Sequence, residues 1–175
     1  MNHPATPRHI ILIGMPACGK STVGVLAAKT LGYRFIDSDL IIQERDGRRL
    51  HRIIREEGQE GFLKIEEAVN LTLGNEPVPS VIATGGSAVY SPAAMAHFKE
   101  IGTVVYLRLS FETVEKRLGN FTHRGVVMPA GYTLRDLYEE RCALYEKYAD
   151  ITVDEGQTDN IGAVLESLCA HFECD

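Results

Sequence analysis

Apolar positions in this chain come either in short unbroken runs or at helical spacing, and the two patterns alternate along its length. Ile10–Ile13 is continuous and rich in β-branched residues, the pattern of a strand buried on both faces of a parallel sheet. It stops at Gly14. From Lys20 onward Val23, Leu26, Ala27 and Leu31 share one helix face, with Gly32 placed as the C-cap. Arg34–Ile36 reads as a second strand, and Leu40–Arg45, Leu50–Glu57 and Phe62–Leu73 read as helices. The last of these carries Phe62, Ile65, Val69 and Leu73 at helical spacing. A turn over Asn75–Pro79 leads to a third strand, Ser80–Ala83, running into Thr84-Gly85-Gly86-Ser87. Pro92 opens a helix to Lys99, Val104–Leu109 is a strong strand, and Phe111–Leu118 a helix. Thr133 is placed to cap a helix running to Tyr148, and Ile151–Val153 is a last strand. Ile161, Val164, Leu165, Leu168 and Phe172 make a closing amphipathic helix.

Strands alternating with helices predict a three-layer α/β/α fold on a five-stranded parallel sheet with right-handed crossovers. Gly119–Gly131 breaks the rhythm: it has poor periodicity, three glycines, a proline and a His-Arg pair. A structureless stretch of that length in a compact domain reads as a functional loop or lid. With no repeat or linker, residues 1–175 are expected to form one domain, with substrate-binding helices over about 39–73 and the lid over about 119–131.

Composition narrows the function. At 45% hydrophobic over 175 residues, with 7% aromatics and no tryptophan, the chain can bury a sizeable, mainly aliphatic core. Its net charge of −6, with both signs interspersed, leaves no basic stripe for a nucleic acid. No apolar run approaches the roughly 18 residues that span a membrane, and Ile10–Ile13 after the polar Met1–Arg8 is too short for a secretory signal. Cys18, Cys142, Cys169 and Cys174 lack Cys-x-x-Cys spacing, which indicates neither a zinc site nor a redox dithiol and suits a reducing compartment. A cytoplasmic monomer acting on a small molecule is expected.

The chemistry begins at Gly14-Met15-Pro16-Ala17-Cys18-Gly19-Lys20-Ser21, which matches G-x-x-x-x-G-K-[ST] at every fixed position, between an apolar strand and an amphipathic helix. Glycines let the backbone form a nest of inward N–H groups, and the helix adds its positive end. Lys20 would meet the β/γ-phosphates of ATP, and the Ser21 hydroxyl would ligate Mg²⁺. Gly14, Ala17, Cys18, Gly19, Lys20, Ser21 and Thr22 are the candidate nucleotide-binding residues, Cys18 as a small loop residue rather than for its thiol. The Asn-Lys-x-Asp motif that reads guanine is absent.

Asp37 and Asp39 stand two residues apart at the end of the second strand. One could reach the Mg²⁺ hydration shell and the other an incoming hydroxyl, since phosphoryl transfer needs positioning, charge neutralisation and a carboxylate for the hydroxyl proton. The same pair would also serve an Asx turn and a helix N-cap, with Asp39 as the cap.

These residues, with Phe62-Leu63-Lys64-Ile65-Glu66, Thr84-Gly85-Gly86, Arg124 and the run Leu137-Tyr138-Glu139-Glu140-Arg141 before Leu144-Tyr145, resemble the shikimate kinases. That family lies in the nucleoside-monophosphate-kinase-like branch of P-loop proteins, and the resemblance spans nearly the whole chain. It implies a small-molecule kinase of aromatic amino acid biosynthesis. Asp39 would then hold and deprotonate the acceptor hydroxyl, and Asp37 would assist Mg²⁺. Gly85 and Gly86 would offer backbone to the acceptor, Lys20 and Arg124 would neutralise the transferring phosphate, Arg117 would flank the adenine, and Arg141 would grip the substrate carboxylate. Arg141 has Leu137 and Tyr138 one turn before it and Tyr145 one turn after, so no acid shares its face.

Departures gather on the acceptor side. Where the family carries Phe-Arg this chain has Phe62-Leu63, with Gln59 in place of a glutamate, Ser87 in place of a third glycine, and Gly125 in place of the proline after the lid arginine. Losing one arginine of a carboxylate fork costs roughly 1.5–3 kcal/mol, about ten- to a hundredfold in affinity. Lys64 points about 100° away on a helix and is a poor substitute. Three readings follow: a shikimate kinase with altered carboxylate recognition, a related kinase for another small hydroxy acid or polyol, and an ATP-binding regulatory module without transfer.

Overall fold

The computed structural model describes residues 9–119, 126–154 and 160–172. In chain order the elements are β1 His9–Ile13, α1 Lys20–Leu31, β2 Arg34–Asp37, α2 Ser38–Asp46, α3 Leu50–Asn70 and β3 Ser80–Ala83. They continue with α4 Pro92–Ile101, β4 Gly102–Arg108, α5 Phe111–Leu118, α6 Leu134–Tyr148, β5 Ile151–Asp154 and α7 Ile161–Cys169.

The strands form one parallel five-stranded sheet in the order β2-β3-β1-β4-β5, as the alternating pattern predicts. In register, Ile11 of β1 stands between Ile82 of β3 and Val104 of β4. Every residue of β1 and β3 is buried, which is why these strands read as unbroken apolar runs and not as alternations. Burial of each large aliphatic side chain contributes about 1.5–3 kcal/mol of transfer free energy. Parallel pairing also sets function: the C-terminal ends of all strands lie along one edge, where ligands of open α/β sheets bind. The loop after β1, the aspartates after β2 and Thr84–Ser87 after β3 therefore meet there.

Three helices differ from the sequence reading. In α1 the buried face is Val23, Gly24, Ala27 and Ala28, while Leu26 is 37% exposed. The sheet approaches too closely for a larger residue: a Cβ on Gly24 would lie 2.7 Å from the Phe35 ring. The segments read as separate helices over 50–57 and 62–73 form one run, α3, bent at Gly58 (φ 70, ψ 178). That left-handed backbone suits glycine alone, and the helix resumes at once and ends at Asn70. Helix α2 begins at Ser38 because Asp37, not Asp39, is its N-cap, accepting from the N–H groups of Asp39 and Leu40 at 3.0 and 3.3 Å. The expected Thr133 cap is present as a reciprocal capping box with Asp136.

Arg48 fastens α2 to the first half of α3 through Asp46, Glu56 and Glu57. A short 3-10 turn, Ala88–Tyr90, follows the Thr84–Ser87 loop and had no sequence signal. Residues 126–131 of the expected lid form neither helix nor strand. No helix of the described residues is long and apolar enough to cross a membrane.

Candidate active site

On the donor side, the loop after β1 curls so that Ala17 adopts φ 65, a left-handed conformation that a non-glycine residue rarely takes. Gly19 (φ 87) follows as the N-cap of α1. Such successive turns aim backbone N–H groups into one concavity, an anion nest. Lys20 is 8% exposed and donates to the carbonyls of Gly14 and Met15 at 2.8 and 2.9 Å, with Cys18 Sγ at 3.6 Å. Ala17, Gly19, Lys20, Ser21 and Thr22 line the cleft; Gly14 and the buried Cys18 lie outside its lining.

Beside the nest the Ser21 hydroxyl donates to Asp37 Oδ2 at 2.6 Å, while Asp37 Oδ1 caps α2. This pair of hard oxygens fits Mg²⁺, which usually keeps several waters and takes only one or two protein oxygens beside substrate phosphates. Among the described residues no group of three or more His, Cys, Asp or Glu side chains could hold a metal ion.

The acceptor side continues the same cleft, which has a volume of ≈ 500 Å³. Asp39, in the first turn of α2, lines it; the residue is partly exposed, but its Oδ1 is sealed from solvent and has no hydrogen-bond partner among the described residues. Burial, reinforced by the Asp37 charge and opposed by Lys20, pushes its carboxyl up to about 6. Glu66 of α3 is 1% exposed; its Oε2 accepts from the Ser87 hydroxyl at 2.7 Å and its Oε1 has no partner among the described residues. Burial pushes this carboxyl up to about 7, the Asp39 charge adding to the shift and Ser87, Arg141 and Lys20 working against it.

Gly85 makes this meeting possible. A Cβ there would sit 2.1 Å from Glu66 Oε1 and 3.0 Å from Asp39 Oδ1, so only glycine lets both carboxylates close in. Its N–H donates to Ser38 Oγ at 3.0 Å and is already engaged. The Gly86 carbonyl accepts from the Tyr145 hydroxyl at 2.6 Å, which leaves the Gly86 N–H as the group to offer.

Arg141 of α6 lines the far wall and is 1% exposed. Its Nη2 donates to the Val127 carbonyl at 2.6 Å and its Nε to the Tyr90 hydroxyl at 3.3 Å. Among the described residues no carboxylate lies within ion-pair distance of it, so its charge is held by neutral oxygens and faces the cleft. Arg117 of α5 reaches the mouth and donates to the Ala17 carbonyl at 3.3 Å. Arg124, the expected lid arginine, falls outside the described residues. Leu63 does not line this cleft; it borders a separate hollow of ≈ 240 Å³ on the other side of Glu66 and Ser87.

Sequence reasoning gave no role to Ser38, Glu66, Tyr90, Val127 or Tyr145. Tyr145 was marked by its spacing one turn after Arg141, and Glu66 as the end of the Phe62–Glu66 motif; nothing in the sequence marked Ser38, Tyr90 or Val127.

A nest after the central strand of a parallel sheet, sharing one cleft with an aspartate from the first turn of the helix after the edge strand β2, defines a P-loop kinase for a small hydroxylated acceptor, on the fold of nucleoside monophosphate kinases. The family model described as Shikimate kinase matches residues 16–171. The chain is 36% identical over 168 residues to the shikimate kinase of Paracidovorax citrulli, covering 94% of this chain and 91% of that protein. It is 42% identical over 155 residues to that of Vibrio cholerae, covering 85% and 86%. The solved shikimate kinase from Acinetobacter baumannii, in complex with shikimate, superposes with a TM-score of 0.83 at 31% identity, covering 96% of this chain and 92% of that one. The chain belongs to the shikimate kinase family, whose members use ATP with Mg²⁺.

Proposed function

We propose that this chain transfers the γ-phosphoryl group of ATP to a hydroxyl of shikimate, giving 3-phosphoshikimate and ADP. The observation that carries this reading is the unpartnered Asp39 Oδ1 in the same cleft as the Lys20 nest. Asp39 accepts the proton of the acceptor hydroxyl as that oxygen bonds to the γ-phosphorus, and the bond to the β–γ bridging oxygen breaks, its electrons leaving with ADP. Lys20 lies at the nest to meet the charge that builds on the phosphoryl oxygens, with Arg124 joining it from the lid. Ser21 and Asp37 would hold Mg²⁺, which would supply further neutralisation of phosphate charge. Arg141 takes the acceptor carboxylate, and Gly86 offers its N–H. Arg117 and Thr22 lie on the nucleotide side, Arg117 against the base.

A second reading, a different small hydroxy acid as acceptor, rests on Leu63, which brings no second cation to the cleft. ADP release measured with a coupled assay over a panel of hydroxy acids and polyols separates the two. Turnover with shikimate at the highest kcat/KM is expected; none with shikimate overturns the first reading. The donor and acceptor residues described all come from one chain, in keeping with a monomer, and the scattered cysteines support a cytoplasmic setting. Sedimentation of the purified chain tests the first point.

A further inference from the structure

Among the described residues two carboxylate oxygens in this cleft have no hydrogen-bond partner, Asp39 Oδ1 and Glu66 Oε1, and both close on the one spot where Gly85 lacks a side chain. Each is an acceptor only while ionised, so neither can satisfy the other. A single proton resolves both: placed on Glu66 Oε1, it turns one orphan acceptor into a donor facing the second. A Cβ on Gly85 would lie 2.1 Å from the one oxygen and 3.0 Å from the other, and two carboxylates bordering one spot without a cation between them disfavour joint ionisation.

The cations that act on Glu66 are committed elsewhere. Lys20 of α1 donates to the Gly14 and Met15 carbonyls, and Arg141 of α6 to Val127 and Tyr90. From α2 the facing charge is Asp39, of the same sign. On α3 itself the residue one turn earlier is Leu63, apolar and turned toward the other hollow. From the loop after β3, Glu66 receives one neutral hydroxyl, Ser87.

We propose that Glu66 is a positioning residue of the acceptor cleft that works as the neutral acid, its O–H directed from Oε1 toward Asp39, so that Asp39 alone carries charge and acts as the base. The proposal rests on the kinase reading of the cleft and adds to it a residue and a protonation state. Loss of the proton places two anionic carboxylates beside an anionic acceptor, which weakens acceptor binding. The raised Glu66 carboxyl, at about 7, is consistent with the geometry. An arginine at position 63 would stand one turn from Glu66 and stabilise its ionised form; Leu63 is therefore part of the same device.

The test uses the full chain. Carbon-13 NMR of protein labelled at the glutamate side-chain carboxyl, with Glu66→Gln identifying the resonance, should show Glu66 titrating near pH 7 without any ligand. In L63R the midpoint should fall by at least one pH unit. With shikimate as the probe acceptor, KM should rise about tenfold per pH unit above the midpoint in the wild type and lose that rise in E66Q. A Glu66 resonance titrating near 4.5, the ordinary value, or a KM rise that persists in E66Q overturns the proposal. The NMR arm needs no acceptor, so failure of shikimate turnover with a midpoint near 7 faults the choice of acceptor and leaves the Glu66 proton standing.

Discussion

The two halves of the cleft are built in opposite ways. The donor half is one contiguous loop, Gly14–Thr22, which binds through backbone N–H groups and two side chains, Lys20 and Ser21. The acceptor half draws on α2, α3, the loop after β3, the segment at Val126–Val127 and α6, and it binds through side chains held by one another. A backbone nest needs only the right glycines at the right spacing, so it tolerates change around it. A wall of mutually positioned side chains responds to any single replacement. The departures of this chain fall accordingly: the loop motif is intact, while Gln59 and Leu63 fall in α3 and Ser87 in the loop after β3.

Substitutions can break that contrast at several depths. Asp39→Asn removes the base and should lower kcat by about 10²–10⁴-fold while ATP affinity, read by titration calorimetry, stays within a few-fold. If ATP affinity falls in parallel, the halves are not separable. The Asp39 carboxyl near 6 sets the acid limb of activity: below that pH it takes up a proton and kcat should drop about tenfold per unit. A profile flat down to pH 5 counts against Asp39 as the base.

Arg141→Lys keeps the charge but loses the planar fork. The acceptor KM should rise by about ten- to a hundredfold, the equivalent of about 1.5–3 kcal/mol, with little change in the KM for ATP. Gly85→Ala forces a Cβ between Glu66 and Asp39, and overpacking of this kind costs about 1–3 kcal/mol. A lowered urea midpoint and a raised acceptor KM are expected together; an unchanged KM would place the carboxylates elsewhere. Tyr145→Phe, the mildest, deletes the hydrogen bond to the Gly86 carbonyl, and thermal unfolding should register about 1 kcal/mol.

Much of the fold could be read from the chain because buried parallel strands and amphipathic helices write their environment into their own periodicity. Ile10–Ile13 announced the central strand, and Thr133 its helix. Where packing partners mattered more than pattern, the reading slipped. Leu26 looked like core until the close approach of Phe35 to Gly24 turned the small-residue face inward. Leu50–Glu57 and Phe62–Leu73 read as two helices, yet Gly58 with φ 70 only bends a single α3. Asp37 and Asp39 were both legible as site residues, but which of them capped α2 depended on where the backbone turns helical: Asp37 stays extended (φ -110, ψ 116) and the helix begins at Ser38. Glu66 could be seen as part of a motif, and its lack of a cation could not.

By itself the sequence determined the strand–helix alternation, the nest, the lysine and hydroxyl that serve it, and the pair of aspartates beyond β2, because each is encoded within a few consecutive residues. Only the tertiary structure decided what surrounds Asp39: Gly85 without a side chain, Glu66 without a counter-ion, Arg141 held by neutral oxygens and Leu63 facing away. Those relations join residues tens of positions apart, and burial and charge at such a point are sums over neighbours that no local stretch of chain contains.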